Sequence, residues 1–161
     1  MAERPAANAS PLIFLSRAGL LDLFQLVSTE IVVPETVAAE IGRRGPSDPT
    51  AQAIAGTPWL VVLRTPPATP EILAWGLGPG ESSVLAWAHA YPKTEVIIDD
   101  LAARRCAAAF QIPVRGTLGL VLTAKQRGLI PAARPVLLTL RQGGMYLSDR
   151  VMNRALEFVG E

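Results

Sequence analysis

Four acidic residues, Glu40, Glu81, Asp99 and Asp100, stand where this chain could do chemistry, with Asn8, Ser10 and Thr117 as polar companions. Each lies at a helix start, a strand end or the margin of an apolar stripe. Carboxylates brought together repel one another, and one of them must protonate unless a cation neutralises the group. Hard oxygen ligands suit Mg²⁺ or Mn²⁺, which also tolerate bound water. Such an ion lowers the pKa of a water and holds a phosphate oxygen, which is the chemistry of phosphodiester hydrolysis. The lone Cys106 and lone His89 leave no zinc site of the usual kind. A nucleotide-binding Rossmann domain is the second reading from spacing. Against it, Arg115-Gly116-Thr117-Leu118-Gly119 lacks a third glycine, and no Walker-type lysine follows a glycine loop.

The elements that must position these side chains centre on Thr94 to Leu120. Val96-Ile97-Ile98 is a short apolar run without polar alternation, as expected of a strand buried on both faces. Asp99 and Asp100 follow it, then an Ala-rich helix, a second short segment ending at Val114, a Gly116-Thr117 turn and a helix over Leu118–Arg127. Strand-helix-strand-helix units build parallel sheets, and ligands bind beyond the carboxyl ends of such strands. Asp100 is also a good N-cap, but a cap needs only one acid.

Earlier in the chain, Ser10-Pro11 reads as a helix start, with Ser10 as N-cap, and Gly19 divides that helix in two. Topology asks for a strand before Asn8, although Arg4-Pro5-Ala6-Ala7 is a poor strand sequence. Glu30–Val33 reads as a buried strand stopped by Pro34, and a helix runs from there to about Ile41. Glu40 falls about 60° from Val37 on that helix, at the margin of its apolar stripe. A helix near Ala51–Ala55 and a strand at Trp59–Leu63 come next, then a proline-rich surface connection from Thr65 to Pro70. The helix from Glu81 places Glu81, Val84, Leu85 and Ala88 on one face, so a carboxylate heads an inward stripe, while His89 lies off its centre. Helices near Pro131–Arg141 and Ser148–Val159 close the chain. The pattern predicts an α/β domain with a mainly parallel central sheet and a helical C-terminus. The strands ending at Val33 and Asp99 are expected to be adjacent or separated by one N-terminal strand.

The length of 161 residues implies one domain over 1–161, burying about 70% of its unfolded surface. A hydrophobic fraction of 50% excludes a disordered chain. One cysteine excludes an internal disulfide and argues for a reducing compartment. No run reaches the roughly 18 apolar residues of a membrane span, and the N-terminal stretch lacks a cleavage site. The expectation is a soluble cytoplasmic protein. Its net charge of +1 neither demands nor forbids a nucleic-acid partner.

Nearly the whole chain resembles the DUF3368 family of PIN-domain proteins. The resemblance is carried in order by Asn8-Ala9-Ser10-Pro11-Leu12-Ile13, Val33-Pro34-Glu35 with Glu40, Gly78-Pro79-Gly80-Glu81, Ile98-Asp99-Asp100 with Arg104-Arg105, and Gly116-Thr117-Leu118-Gly119 with Ala124-Lys125 and Gly128-Leu129-Ile130. That family is similar to VapC-type toxins of toxin–antitoxin modules. The resemblance implies a PIN-like three-layer sandwich and an Mg²⁺- or Mn²⁺-dependent ribonuclease, acting on RNA, forming a homodimer and paired with a small antitoxin protein. It implies that Glu40, Glu81 and Asp100 are the second, third and fourth acids of a metal pocket, with Asp99 as neighbour or substitute. Asn8 falls at the position of the first acid, where it can offer a carbonyl oxygen but no charge. Thr117 takes the place that supports metal-bound water, and Ser10 lies just after Asn8. Arg104, Arg105, Arg115 and Lys125 are candidates for phosphate contacts. The alternative is a PIN-like module without catalysis that binds RNA or a protein partner, and Asn8 is its main support.

Overall fold

The computed structural model describes residues 4–161. Five strands form one sheet: β1 (Ala6–Ala7), β2 (Ile31–Pro34), β3 (Leu60–Leu63), β4 (Val96–Ile97) and β5 (Val114–Arg115). Their order is β3-β2-β1-β4-β5, and every pairing is parallel. The strands leading to Val33 and Asp99 are thus separated by the N-terminal strand alone. The helices are α1 (Ala9–Arg17), α2 (Glu35–Gly42), α3 (Pro49–Gly56), α4 (Pro70–Leu73), α5 (Pro79–Ala90), α6 (Leu101–Ala109), α7 (Thr117–Gln126), α8 (Ala133–Gln142) and α9 (Asp149–Phe158), with a 3-10 turn at Leu21–Leu26. Every residue of β1, β2 and β4 is buried, so helices must cover both faces of the sheet. No described helix is long and apolar enough to cross a membrane.

The weakest strand sequence occupies the centre. Ala6 and Asn8 donate their N–H groups to the carbonyls of Glu95 and Ile97, and Val32 donates to the carbonyl of Pro5. Pro5 lacks an N–H, which a chain tolerates at the start of a strand. Hydrogen bonding from both neighbours therefore overrides the poor intrinsic preference of alanine. On the same stretch, Trp87 of α5 donates its indole N–H to the Arg4 carbonyl at 2.9 Å, and the Arg4 guanidinium lies over the Trp87 ring.

The first helix corrects one expectation. It begins at Ala9, so Asn8 and not Ser10 holds the cap position, and the Asn8 side chain makes no capping bond. Pro11 then falls within the first turn, where a missing N–H has no intrahelical partner to lose. A left-handed Gly19, with φ of +71°, separates α1 from the 3-10 turn. Phe24, on the 3-10 turn that follows, is wholly buried in the core. Its 3-10 turn packs against α7, which turns the ring inward.

The end of the chain is tied down by charge. Helix α8 follows Ala132, which cannot cap it. The Glu161 carboxylate takes that role, accepting from the N–H groups of Ala133 at 2.6 Å and Arg134 at 3.1 Å, with the Lys125 ammonium 3.8 Å away. The bond from Ala133, then the bond from Arg134 and the charges of Lys125 and Arg134, hold the Glu161 carboxyl below the ordinary carboxylate range against the opposing effect of burial. A folded-state pKa below the unfolded one stabilises fully above the ordinary glutamate value near 4.3, and that stabilisation disappears as pH falls through the folded value. Glu161→Gln is therefore expected to lower the melting temperature at pH 7, with the gap to the parent closing as thermal melts are repeated toward pH 3.

Candidate active site

Parallel strands end on one side of a sheet, and the turns after β1, β4 and β5 deliver the polar residues there. A cleft of about 1280 Å³ opens at this end. Ser10, Glu81, Asp99, Asp100, Arg104 and Arg115 line it, together with apolar side chains from α1, α7 and α9. Asp99 and Asp100 divide their labour. The Asp100 side chain caps α6, accepting from the N–H of Ala103 at 2.9 Å. Asp99 faces α7 instead, and Thr117 donates both its backbone N–H and its hydroxyl to the two Asp99 oxygens, each at 2.7 Å. Thr117 is completely buried, so this pair of bonds pins the end of β4 to the start of α7. Charge-assisted bonds of this kind are the strong ones.

Two glycines leave room for this packing. A Cβ built on Gly116 would stand 3.2 Å from Asp99 Oδ1 and collide with the Arg104 guanidinium. Arg104 also donates to the Ile98 carbonyl at 3.2 Å, so its cation is held in a notch beside Asp99. Across α5, a Cβ on Gly80 would lie 3.2 Å from Asn8 Oδ1 and 3.9 Å from Glu40 Oε1. Asn8 is 5% exposed. Asn8 and Glu40 thus flank the cradle that the missing side chain of Gly80 leaves, one residue from Glu81, and a Cβ there would be a tight fit. The Glu81 carboxylate turns back over Gly78, where a Cβ would come within 2.6 Å of Oε2.

The structure brings Glu81, Asp99, Asp100 and Ser10 to one cleft, and Asn8 and Glu40 to the adjoining cradle. Glu40 itself is exposed. Among the described residues, no three His, Cys, Asp or Glu side chains stand close enough together to hold a metal ion. The expected basic residues separate similarly. Arg104 and Arg115 line the cleft, although Arg115 is held by Glu95 at 2.6 Å. Arg105 is exposed and does not line it. Lys125 stands elsewhere, bonded to the Pro131 carbonyl at 3.0 Å and near Glu161. Cys106 is fully buried, and burial pushes its thiol up, away from nucleophilic use. His89 is exposed and meets the Phe110 ring edge-on. The Arg104 notch and the Gly80 cradle are not visible as motifs, because both depend on an absent Cβ meeting side chains distant in sequence.

These features define an α/β fold with an all-parallel five-stranded sheet and an acidic cleft at the carboxyl ends of its strands. A family model described as DUF3368: PIN domain matches residues 5–161, and the chain belongs to that family. PIN domains are nuclease-type folds and usually employ divalent metals. No curated protein matches the chain. The donors present suit such an ion in kind: carboxylate, amide and hydroxyl oxygens, with the open Gly80 cradle between Asn8 and Glu40. As arranged here, several of those oxygens are already engaged by donors of the chain itself.

The Asp99–Thr117 contact has a direct test. Thr117→Val keeps the shape and the backbone N–H but removes the hydroxyl donor to a carboxylate. It is expected to cost about 1.5–3 kcal/mol of stability, read from the urea unfolding midpoint at an unchanged m-value.

Proposed function

We propose that this protein is a metal-dependent ribonuclease, and that it acts as the toxin of a toxin–antitoxin pair. The observation that carries the nuclease reading is the shared cleft of Glu81, Asp99 and Asp100 at the carboxyl ends of parallel strands, with Arg104 and Arg115 in its walls. The toxin role, the antitoxin partner and a homodimer rest on the likeness to VapC-type proteins noted in the sequence.

Glu81, Asp99 and Asp100 would hold Mg²⁺ or Mn²⁺, with Asn8 and Glu40 contributing from the Gly80 cradle. A bound divalent ion supplies a water of lowered pKa and offsets charge on the phosphate. The protein's own residues do the positioning. Thr117 fixes both Asp99 oxygens, so that carboxylate keeps one orientation. The cap on α6 fixes Asp100. Arg104 supplies a cation beside Asp99 that can meet a phosphate oxygen, and Ser10 adds a hydroxyl to the cleft wall. Asn8 places an amide oxygen where a carboxylate would add charge, which lowers the attraction for a cation.

One observation favours a second reading, a PIN-like module that binds RNA or a protein without cutting. No three acidic side chains among the described residues gather tightly enough for an ion. The two readings separate on Asp100→Asn, because asparagine caps a helix as well as aspartate does but carries no charge. A nuclease is expected to raise its melting temperature with millimolar Mn²⁺, to cut single-stranded RNA, and to stop when the ion is chelated. Asp100→Asn and Glu81→Gln should each remove the Mn²⁺ stabilisation and lower cleavage by at least 100-fold, on the order of a lost charge-stabilising group, while the fold persists by circular dichroism. Asn8→Asp is expected to tighten Mn²⁺ binding. A melt indifferent to Mn²⁺ together with intact RNA would leave the non-catalytic reading.

A further inference from the structure

The wall of the cleft contributed by the α8–α9 connection carries a tyrosine whose side chain stands almost wholly in solvent. Tyr146 is 90% exposed, while its neighbours Met145 and Leu147 are 8% and 6% exposed. The alternation is enforced by the backbone. Gly144 turns the chain at φ of +108°, and the Met145 N–H returns to the Leu140 carbonyl at 3.0 Å. Arg141 then donates to the Leu147 carbonyl at 3.3 Å and to Asp149 at 2.6 Å. The Ser148 hydroxyl accepts from the N–H of Val151 and starts α9. Two buried anchors and these bonds fix the strap, so Tyr146 is presented outward on a rigid base. It lines the same cleft as Glu81, Asp99 and Asp100.

An aromatic ring in water forgoes most of the stabilisation its area could supply. Its backbone is anchored on both sides, and a tyrosine has only two side-chain torsions to order, so a stacking partner meets a free π-face at modest entropic cost. Nucleic-acid bases stack on such faces irrespective of their identity, provided that they are not already stacked in a duplex. Phosphates of the same strand need cations nearby, and Arg104 stands in the cleft, with the Glu95-paired Arg115 beside it. We propose that Tyr146 is a base-stacking platform that selects single-stranded RNA and sets an unstacked base beside the acidic residues. The inference rests on the nuclease reading for its substrate, yet binding can be measured apart from cutting.

The experiment is fluorescence anisotropy with an end-labelled RNA octanucleotide, free or annealed to its complement. It is run on the native chain in EDTA and on Glu81→Gln in Mg²⁺, so that cleavage does not consume the probe. Tyr146→Ala, which leaves the packing untouched, is expected to weaken single-strand binding roughly 5- to 150-fold, the loss of one stacked base. Tyr146→Phe, which retains the ring, should bind within about twofold of the parent, and duplex affinity should not respond to either change. Single-strand affinity unaltered by Tyr146→Ala, an equal loss on duplex, or no binding in either condition overturns the proposal. A Tyr146→Ala variant with parental RNA affinity but a changed mass in light scattering would make the ring a contact between protein chains, and this also overturns it. A chain that binds single strands through Tyr146 yet cuts none keeps the platform and loses the nuclease reading. A chain that cuts RNA without regard to Tyr146 does the reverse.

Discussion

The site depends on a central strand whose ladder is only two residues long. Ala6 and Ala7 are completely buried, and the strand is hydrogen-bonded on both edges. Small side chains let the covering helices approach closely, which larger residues in the same positions would prevent. Because the strand is parallel to both neighbours, its end coincides with the ends of β2 and β4. That coincidence delivers Asn8, Glu40 and the Asp99-Asp100 pair to one edge of the molecule from distant parts of the sequence. No local feature of the chain forces those groups together. The sheet does.

Much of this was legible in the chain. Short apolar runs without alternation located β2 and β4, because a strand buried on both faces admits few polar residues. Glycine, proline and serine marked the helix ends, and Ser148 does cap α9 as expected. β1 was inferred from topology and not from its own residues, since two alanines carry no strand preference. The start of α1 was misplaced by two positions because Ser10-Pro11 imitates a cap followed by a first-turn proline, while the real boundary is set by where β1 ends. Glu161 as the cap of α8 could not be foreseen: its partners lie 28 and 27 positions away in sequence.

The same distinction applies to the cleft. Two consecutive acids were recognised as more than a cap requires, and the structure assigns one to α6 and the other to Thr117. Asp100 is the one the sequence offers as a cap, and it does cap α6; that Asp99 would take Thr117 was not legible, because that partner lies 18 positions away. The basic residues were the least readable. Arg104 and Lys125 look alike as isolated cations near a motif, yet one rests in a notch beside Asp99 and the other braces α7 against the beginning of α8. Side-chain direction, fixed by packing, separates them, and periodicity gives no access to it.

Trp87 gives the central strand an optical signature. Its indole is almost wholly enclosed, donates its N–H to the Arg4 carbonyl, lies under the Arg4 guanidinium and sits 4.5 Å from the Tyr91 ring. Trp75, by contrast, is on the surface. An indole in so fixed and polar a setting emits differently from one in water, and its emission changes when the strand leaves the sheet. Trp59, half-buried beside β3, is the third indole; with Trp59 and Trp75 replaced by phenylalanine, Trp87 reports without any added label the docking of the segment that aligns the acidic edge.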